Sequence, residues 1–226
     1  MPEYFEYGEK EVQWLRFRDP VLGEAMDKIG HIDRQVMSDL FTALVNVIVG
    51  QQISAKAQAT IWTRMQERLG EITPENIEAI STEELQTCGI SMRKASYIKD
   101  AAGSVLDGSL NLETLRTLPD EEVCKRLSQI KGIGVWTAEM LMTFSMQRPN
   151  VMSFGDLAIL RGLRMLHNHR TITPKLFEKY KRRYSPYATV ASLYLWAIAG
   201  GACPELVDHA PKTEAQKKKD AKNRLK

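Results

Sequence analysis

Cysteine is scarce in this sequence. Only three cysteines are present, Cys88, Cys124 and Cys203, and they lie 36 and 79 residues apart. An odd number of widely spaced cysteines fits neither a disulfide framework nor the closely spaced ligands of zinc and iron–sulfur sites. The sequence therefore predicts three reduced thiols in the core and no iron–sulfur cluster.

Long hydrophobic runs are also missing. Hydrophobic residues make up 43% of the chain, enough for a sizeable core, yet no apolar stretch approaches the roughly 20 residues that span a bilayer. The first residues, rich in glutamate and aromatic side chains, lack the charge and the apolar block of a signal peptide. We expect a cytoplasmic location, associated with the nucleoid if the source is bacterial, and no membrane partner.

A strong overall charge is lacking too. The formal net charge is +3, but residues 212–226 hold seven Lys and Arg against two acidic residues, which leaves 24 basic and 26 acidic residues elsewhere. Any surface for nucleic acid must therefore be a local patch. We expect residues 212–226 to be a basic, disordered, solubilising tail, with electrostatic attraction to a polyanion as the alternative.

Strand patterns are absent, whereas helix-start signals recur. A capping residue precedes proline at Thr73, Thr173 and Ser185, and Ser81 with Glu84 forms a capping box. No sustained alternation of apolar and polar residues occurs between turn pairs. The sequence predicts an all-α fold of about ten short helices and no sheet.

One stretch, SQIKGIGVWTAEML from Ser128 to Leu141, joins two helical patterns through Gly132 and Gly134. A hairpin this tight favours residues without a Cβ atom. It also presents bare backbone N–H groups at the start of the following helix, and such groups suit a nucleic-acid phosphate. By itself the hairpin predicts binding and no chemistry.

A second feature is Asp156, which lies twenty residues after Trp136 at the end of VMSFGD. It precedes an apolar periodic segment, so the local sequence favours a helix N-cap. A catalytic carboxylate is the other interpretation. The two roles are compatible, because helix amides stabilise a carboxylate at an N-terminus.

Four motifs occur in a fixed order: VGQQIS, GISMRKASYI, KGIGVWTA and the aspartate twenty residues after the tryptophan of KGIGVWTA. Together they resemble the helix-hairpin-helix DNA glycosylase superfamily, and within it the alkylation-repair branch of the 3-methyladenine DNA glycosylase II type. The resemblance covers roughly residues 39–200. It implies two helical subdomains with an active-site cleft between them, and a monomer that acts on double-stranded DNA containing damaged bases.

The predicted division of the chain follows from this resemblance. Residues 1–38 form an N-terminal segment that packs on the helical core. Residues 39–118 form the first helical subdomain, which includes the turn that would insert a wedge side chain into the duplex. Residues 119–211 form the subdomain with the helix-hairpin-helix motif and the catalytic aspartate, and residues 212–226 form the tail.

The resemblance implies a catalytic role for Asp156, which would stabilise positive charge on the deoxyribose and act as general base toward water. Strand-cleaving relatives use a lysine two positions after the second hairpin glycine to form a Schiff base. Trp136 occupies that position, which implies a monofunctional enzyme.

Trp136, Met140 and Trp196 would line the base pocket, where aromatic rings attract a cationic alkylated purine. Met140 stands where relatives often have an aromatic, and Leu157 where a tyrosine can occur, so the preferred base stays open.

By the same resemblance, the turn Gln51-Gln52-Ile53 supplies the wedge side chain that fills the space left by a flipped base. Gln52 is the first choice for the wedge and Gln51 the second. The further predicted DNA contacts are Lys131, Gly132, Gly134 and Arg161, with Arg164 as the alternative to Arg161.

No cofactor is implied. The resemblance allows a structural Na⁺ or K⁺ ion at the hairpin, held by the backbone carbonyls of Ser128, Ile130 and Ile133. His167 and His169 lie two residues apart in a polar stretch without further metal ligands, so we expect a solvated loop there.

The preferred hypothesis is a monofunctional DNA glycosylase of base excision repair that excises alkylated purines, such as 3-methyladenine and 7-methylguanine, by base flipping and hydrolysis of the N-glycosidic bond. Two alternatives remain. One is a non-catalytic helix-hairpin-helix module that binds bent or damaged DNA. The other is a glycosylase for uracil, hypoxanthine or mismatched bases.

Overall fold

A computed structural model describes residues 3–211, so the predicted tail at 212–226 lies outside the described residues. The strands are β1 (Glu3–Tyr4) and β2 (Gln35–Val36). The helices are α1 (Glu9–Arg18), α2 (Pro20–Ile29), α3 (Leu40–Gly50), α4 (Ala55–Leu69), α5 (Pro74–Ala79), α6 (Thr82–Thr87), α7 (Met92–Leu106), α8 (Leu112–Leu115), α9 (Asp120–Leu127), α10 (Val135–Phe144), α11 (Leu157–His167), α12 (Pro174–Tyr184) and α13 (Ala188–Ala199).

The all-α class is confirmed, with thirteen helices among residues 3–211 instead of about ten. The prediction of no sheet was wrong in one detail. Strands β1 and β2 pair antiparallel, with Glu3 opposite Val36 and Tyr4 opposite Gln35. Two-residue strands are too short to produce a detectable alternation of apolar and polar positions.

Local capping signals set most helix starts. The side chains of Thr73 and Thr173 accept the N–H of the third residue of α5 and α12, and Ser81 and Glu84 complete the predicted capping box of α6. Ser185 is the exception, because its own N–H bonds to the carbonyl of Lys181 and ends α12. Helix α13 begins three residues later, so the predicted helix start at Ser185 was wrong.

The chain divides into two compact units that differ from the predicted subdomains. Among the described residues, the first unit comprises 3–6 and 33–148, and the second comprises 7–32 and 149–211. The predicted boundary between 118 and 119 does not coincide with this division, because α9 packs on α10 and α10 packs on α3. The predicted N-terminal segment 1–38 is likewise shared between the units. The cleft between subdomains stays a prediction.

Helix α3 is the central helix of the first unit. Its sequence, LFTALVNVIVG, contains no charged residue, and α4, α7, α8 and α10 all pack against it. A helix that is apolar on most of its surface is stable only when surrounded in this way. Helix α10, which follows the glycine hairpin, is thereby fixed to the core of the unit.

Helix α13 has the same place in the second unit. It contains no charged residue and packs on α1, α2, α11 and α12. Helix α11 approaches it most closely at Gly162, where a Cβ atom would collide with the backbone carbonyl of Leu195. Glycine is therefore required there for packing, and this contact fixes the helix whose first turn follows Asp156.

A buried polar cluster holds the other end of α11 and corrects the prediction of a solvated histidine loop. The Oδ2 atom of Asp19 lies 2.9 Å from Arg183 Nη1, 2.9 Å from Tyr184 Oη and 3.2 Å from His167 Nε2. His169 contacts Tyr180 Oη at 2.8 Å. The polar sequence around the histidines concealed these contacts, because their partners lie on other helices.

Charge stabilisation dominates at the centre of this cluster. Burial alone would raise the pKa of the Asp19 carboxyl, but the bonds from His167, Arg183 and Tyr184 outweigh burial and hold that pKa well below its ordinary value of 3.8. The charged carboxylate therefore joins α2, α11 and α12.

The cysteines follow the prediction in part. Cys88 and Cys203 are buried, and burial raises the pKa of both thiols, whereas Cys124 is only half-buried. The three thiols form no disulfide. Between Glu3 and Pro211, no helix combines the length and the apolar character that crossing a membrane requires.

The close approach of α11 and α13 can be tested with two glycine substitutions. Gly162→Ala is expected to lower the free energy of unfolding by about 1–3 kcal/mol, because the new methyl group collides with backbone. Gly103 in α7 faces open space, so Gly103→Ala is expected to raise it by about 0.5–1 kcal/mol through helix propensity. Urea unfolding measures both. Equal stability of Gly162→Ala and the unmodified protein would contradict the packing.

The Asp19 cluster predicts a specific pH dependence. A depressed pKa in the folded state stabilises the fold above the ordinary pKa of 3.8, and this stabilisation is lost as pH falls below it. Asp19→Asn is therefore expected to cost about 3 kcal/mol at pH 7, because it leaves Arg183 without its charge partner. Unfolding curves from pH 7 to pH 3 should show that the difference in free energy of unfolding between the unmodified protein and Asp19→Asn becomes smaller at the acidic end. A difference that stays constant over this range would contradict the charged cluster.

Candidate active site

The segment before α11 fixes the position of Asp156. The N–H of Val151 donates to Thr189 Oγ1 at 2.8 Å, and Ser192 Oγ donates to the carbonyl of Val151 at 3.2 Å. Val151 and Ser153 are buried. These bonds attach the segment to α13, so the start of α11 is set by the core of the second unit.

Asp156 is the N-cap of α11. Its Oδ1 atom accepts the N–H groups of Ala158 at 2.9 Å and Ile159 at 3.0 Å. The residue is only 9% exposed, whereas Leu157 beside it is 81% exposed. The capping interpretation is confirmed, and it places a carboxylate in a fixed orientation beside the exposed side chain of Leu157. The two amide donors fix its orientation at the N-terminal end of the helix.

The two arginines of α11 have different surroundings. Arg164 forms a bidentate ion pair with Asp208, with both N–O distances 2.8 Å. This pair lowers the pKa of Asp208 and raises that of Arg164. Arg161 lies 3.7 Å from the same carboxylate and keeps half of its side chain exposed. Arg164 is therefore engaged within the protein, while the predicted phosphate contact of Arg161 stays a prediction.

The hairpin between α9 and α10 has the predicted outline. Gly132 has φ +84°, a conformation that favours glycine, and the ring of Tyr97 fills the space that a Cβ atom would need. Gly134 has ordinary extended angles, but the space where its Cβ would lie is open. Lys131 and Val135 are exposed on either side.

Helix α10 begins at this hairpin, and its N-cap residue, Gly134, has no side chain that could accept the first N–H groups. The first amide groups of a helix need partners that the helix itself does not supply. An exposed glycine-flanked helix start is a suitable place for a phosphate oxygen. Binding of phosphate by Lys131, Gly132 and Gly134 stays a prediction that this geometry permits.

The proposed cation ligands lie in the same turn. The carbonyl of Ile130 already accepts the N–H of Ile133 at 3.0 Å, and a second lone pair remains on that oxygen for an ion. The carbonyl ligands Ser128, Ile130 and Ile133 stay a prediction. No group of three or more His, Cys, Asp or Glu side chains within 3–211 is arranged to hold a metal.

The residues predicted for the base pocket differ in exposure. Trp136 lies in the first turn of α10 and is half-buried, and Trp196 in α13 is also half-buried. Met140, one turn after Trp136, is 4% exposed. The aromatic pair retains accessible surface, whereas Met140 is enclosed. The pocket role of all three stays a prediction.

The two glutamines of the turn after α3 point to different surroundings. The side-chain amide of Gln51 donates to the carbonyl of Gly132 at 3.0 Å and to Thr137 Oγ1 at 3.1 Å. Gln52 is exposed and has φ +58°, which is uncommon for a residue with a side chain. Lys94 contacts this turn and Tyr97 contacts Gly132. Both residues belong to the motif RKASYI, which contributed to the family resemblance but did not predict these contacts.

Comparisons with known proteins identify the family of this chain. Residues 45–186 match the family described as HhH-GPD superfamily base excision DNA repair protein. DNA-3-methyladenine glycosylase 1 of Schizosaccharomyces pombe is 37% identical over 161 residues, covering 69% of this chain and 71% of that protein.

Solved structures are similar as well. A DNA-3-methyladenine glycosidase from Bacillus halodurans superposes with a TM-score of 0.78 at 35% identity, covering 90% of this chain and 95% of that one. The 3-methyladenine DNA glycosylase of S. pombe, in complex with abasic DNA, gives a TM-score of 0.78 at 30% identity, covering 90% of this chain and 100% of that one.

Substitutions at Asp156 can separate its capping role from any chemistry. Asparagine is as good an N-cap as aspartate, whereas replacement by alanine costs about 1 kcal/mol. Asp156→Ala is therefore expected to lower the free energy of unfolding by about that amount, and Asp156→Asn is expected to leave it nearly unchanged. Urea unfolding compares the two. A large loss with asparagine would show that the negative charge itself stabilises the fold.

Proposed function

This chain belongs to the HhH-GPD superfamily of base excision DNA repair proteins, and we propose that it is a monofunctional DNA glycosylase that removes alkylated purines. The observation that carries the proposal is the carboxylate of Asp156, fixed by two amides at the start of α11. The names of the similar glycosylases and glycosidases support 3-methyladenine as a substrate, and 7-methylguanine shares its alkylated, cationic character.

The chemistry begins with extrusion of the damaged nucleotide from the duplex. The bond between C1′ of the deoxyribose and the ring nitrogen of the base then breaks, and its electron pair neutralises the positive charge of the alkylated purine. Positive charge develops on the sugar, where the Asp156 carboxylate stabilises it. Water attacks C1′, its proton passes to Asp156 or to solvent, and an abasic site remains.

Selection of the base requires no strong general acid in this proposal, because a cationic purine is already a good leaving group. By the resemblance, Trp136 and Trp196 would attract such a cation through the π faces of their rings. Neutral bases such as uracil lack the positive charge and would be removed more slowly.

Absence of strand cleavage is also part of the proposal. A lyase needs an amine that forms a Schiff base with the sugar. Trp136 stands at the position where strand-cleaving relatives hold that lysine, and an indole nitrogen cannot serve as the nucleophile. We propose a monomer that needs no cofactor and acts on double-stranded DNA in the cytoplasm, at the nucleoid if the source is bacterial.

Base release from a panel of damaged duplexes tests this function. Mass spectrometry is expected to detect 3-methyladenine and 7-methylguanine, and Asp156→Asn is expected to lower the release rate at least about 100-fold, since it removes the charge opposite the developing cation. Binding to an abasic duplex should persist. Strands should stay intact until alkali is added.

A matched control is available in Asp39, which caps α3 by accepting the N–H of Thr42 at 2.7 Å. Asp39→Asn makes the same chemical change at another N-cap and is expected to retain full activity. Release of uracil or hypoxanthine instead would identify the alternative glycosylase. A folded protein that binds DNA and releases no base would identify the non-catalytic module.

A further inference from the structure

The turn after α3 is held by a lysine from another helix. Lys94, in α7, donates from Nζ to the carbonyl of Val49 at 2.8 Å and to the carbonyl of Gln51 at 2.6 Å. The last carbonyls of a helix have no partner within the helix, so Lys94 acts as the C-terminal cap of α3. Lys94 is half-buried, and burial lowers the pKa of its amine.

The side chain of Gln51 connects the same turn to the hairpin. Its Nε2 atom donates to the Gly132 carbonyl and to the hydroxyl of the buried Thr137. An amide nitrogen has two hydrogens, so these two bonds use its full donor capacity. Gln51 is thus engaged with the hairpin and the first turn of α10.

Gln52 directly follows the residues that these bonds hold. Its backbone is in the left-handed region at φ +58°, and its side chain is exposed. A residue other than glycine keeps such a conformation only when its surroundings enforce it. Gln51 and Gln52 are the central residues of a turn in which the N–H of Ile53 donates to the carbonyl of Gly50 at 3.4 Å, and a turn with these backbone angles needs a positive φ at its third residue. The bonds of Lys94 and of the Gln51 side chain attach this turn to α7 and to the hairpin.

Helix α7 contacts the hairpin as well. Tyr97 lies three residues after Lys94, on the same face of α7, and its ring packs against Gly132. One helix therefore supports both the turn and the hairpin, and Gln51 joins them directly. All of these residues lie in the first unit.

We propose that Lys94 and Gln51 are positioning residues that hold the Gln52 turn at a fixed distance from the phosphate-binding hairpin, so that Gln52 enters the duplex as the hairpin binds the strand. This inference rests on the proposed function. A turn that is ordered before binding does not lose conformational entropy when it inserts, which favours base flipping. Gln52 is thereby the wedge, and Gln51 is not.

The experiment measures flipping without chemistry. A duplex with an abasic-site analogue carries 2-aminopurine in the opposite strand, and its fluorescence rises when a side chain opens the stack. The unmodified protein is expected to raise the fluorescence. Lys94→Met keeps the aliphatic stem and loses both bonds, and Gln51→Met loses the amide. Each is expected to weaken the flipped state at least about tenfold, and Lys94→Arg should restore part of it.

Lys99 supplies a matched control. It lies on the same helix and donates from Nζ to the carbonyls of Glu78 at 2.8 Å and Ile80 at 3.0 Å, at the end of α5. Lys99→Met removes a comparable helix cap and is expected to lower stability without changing the fluorescence response. If Lys94→Met behaves like Lys99→Met, the role of Lys94 is structural only and the proposal is overturned.

A double substitution completes the test. Gln52→Gly removes the wedge and relieves the backbone conformation, so we expect a weaker but still measurable fluorescence response with unchanged or higher stability. Adding Lys94→Met to Gln52→Gly should cause no further loss of response if Lys94 acts through Gln52. Additive losses would contradict the coupling.

Base-excision rates, measured beside the fluorescence, distinguish failure of the proposed glycosylase function from failure of the positioning role. If the fluorescence depends on Lys94 and Gln51 but no base is released, the proposed function fails and the positioning role holds. If bases are released and neither variant changes the fluorescence, the positioning role fails alone. If the unmodified protein gives no fluorescence change on a duplex that it binds, the wedge assignment is wrong.

Discussion

An α-helix cannot satisfy its first four N–H groups or its last four carbonyls, and the side chains of Asp156 and Lys94 and the backbone at Gly134 all lie where partners for those groups are needed. Asp156 supplies an acceptor at the start of α11. Gly134 leaves the start of α10 without a side-chain cap. Lys94 supplies donors at the end of α3. The requirement to complete helix ends thus positions the carboxylate of Asp156, the exposed start of α10 and the turn that carries Gln52.

Those helix ends are useful only because the helices themselves are fixed. Each unit is built around one apolar helix without charged residues, α3 in the first and α13 in the second. Helix α10 packs on α3, and α11 packs on α13 through the close approach at Gly162. The Asp19 cluster holds the far end of α11 by charge instead of apolar packing. Stability and the placement of the candidate site therefore depend on the same contacts.

Local sequence predicted the features that depend on neighbouring residues. Thr73, Thr173 and Ser81 were correctly identified as caps, because the bond of an N-cap reaches only three residues along the chain. The same rule was wrong at Ser185, where a helix ends. His167 was placed in a solvated loop, since its contact with Asp19 is invisible to any local pattern. Helix packing, and not composition, decides to which compact unit α9 and α10 belong.

The sequence by itself determined the all-α class, the glycine hairpin, the cap at Asp156 and the resemblance to the glycosylases, because these depend on residue types at short, fixed spacings. Only the tertiary structure decided which glutamine of the turn faces the protein. The bonds of Gln51 reach Gly132 and Thr137, which lie 81 and 86 residues away in the chain. Two adjacent glutamines look alike in sequence, and they become different only when packing gives one of them hydrogen-bond partners and leaves the other exposed.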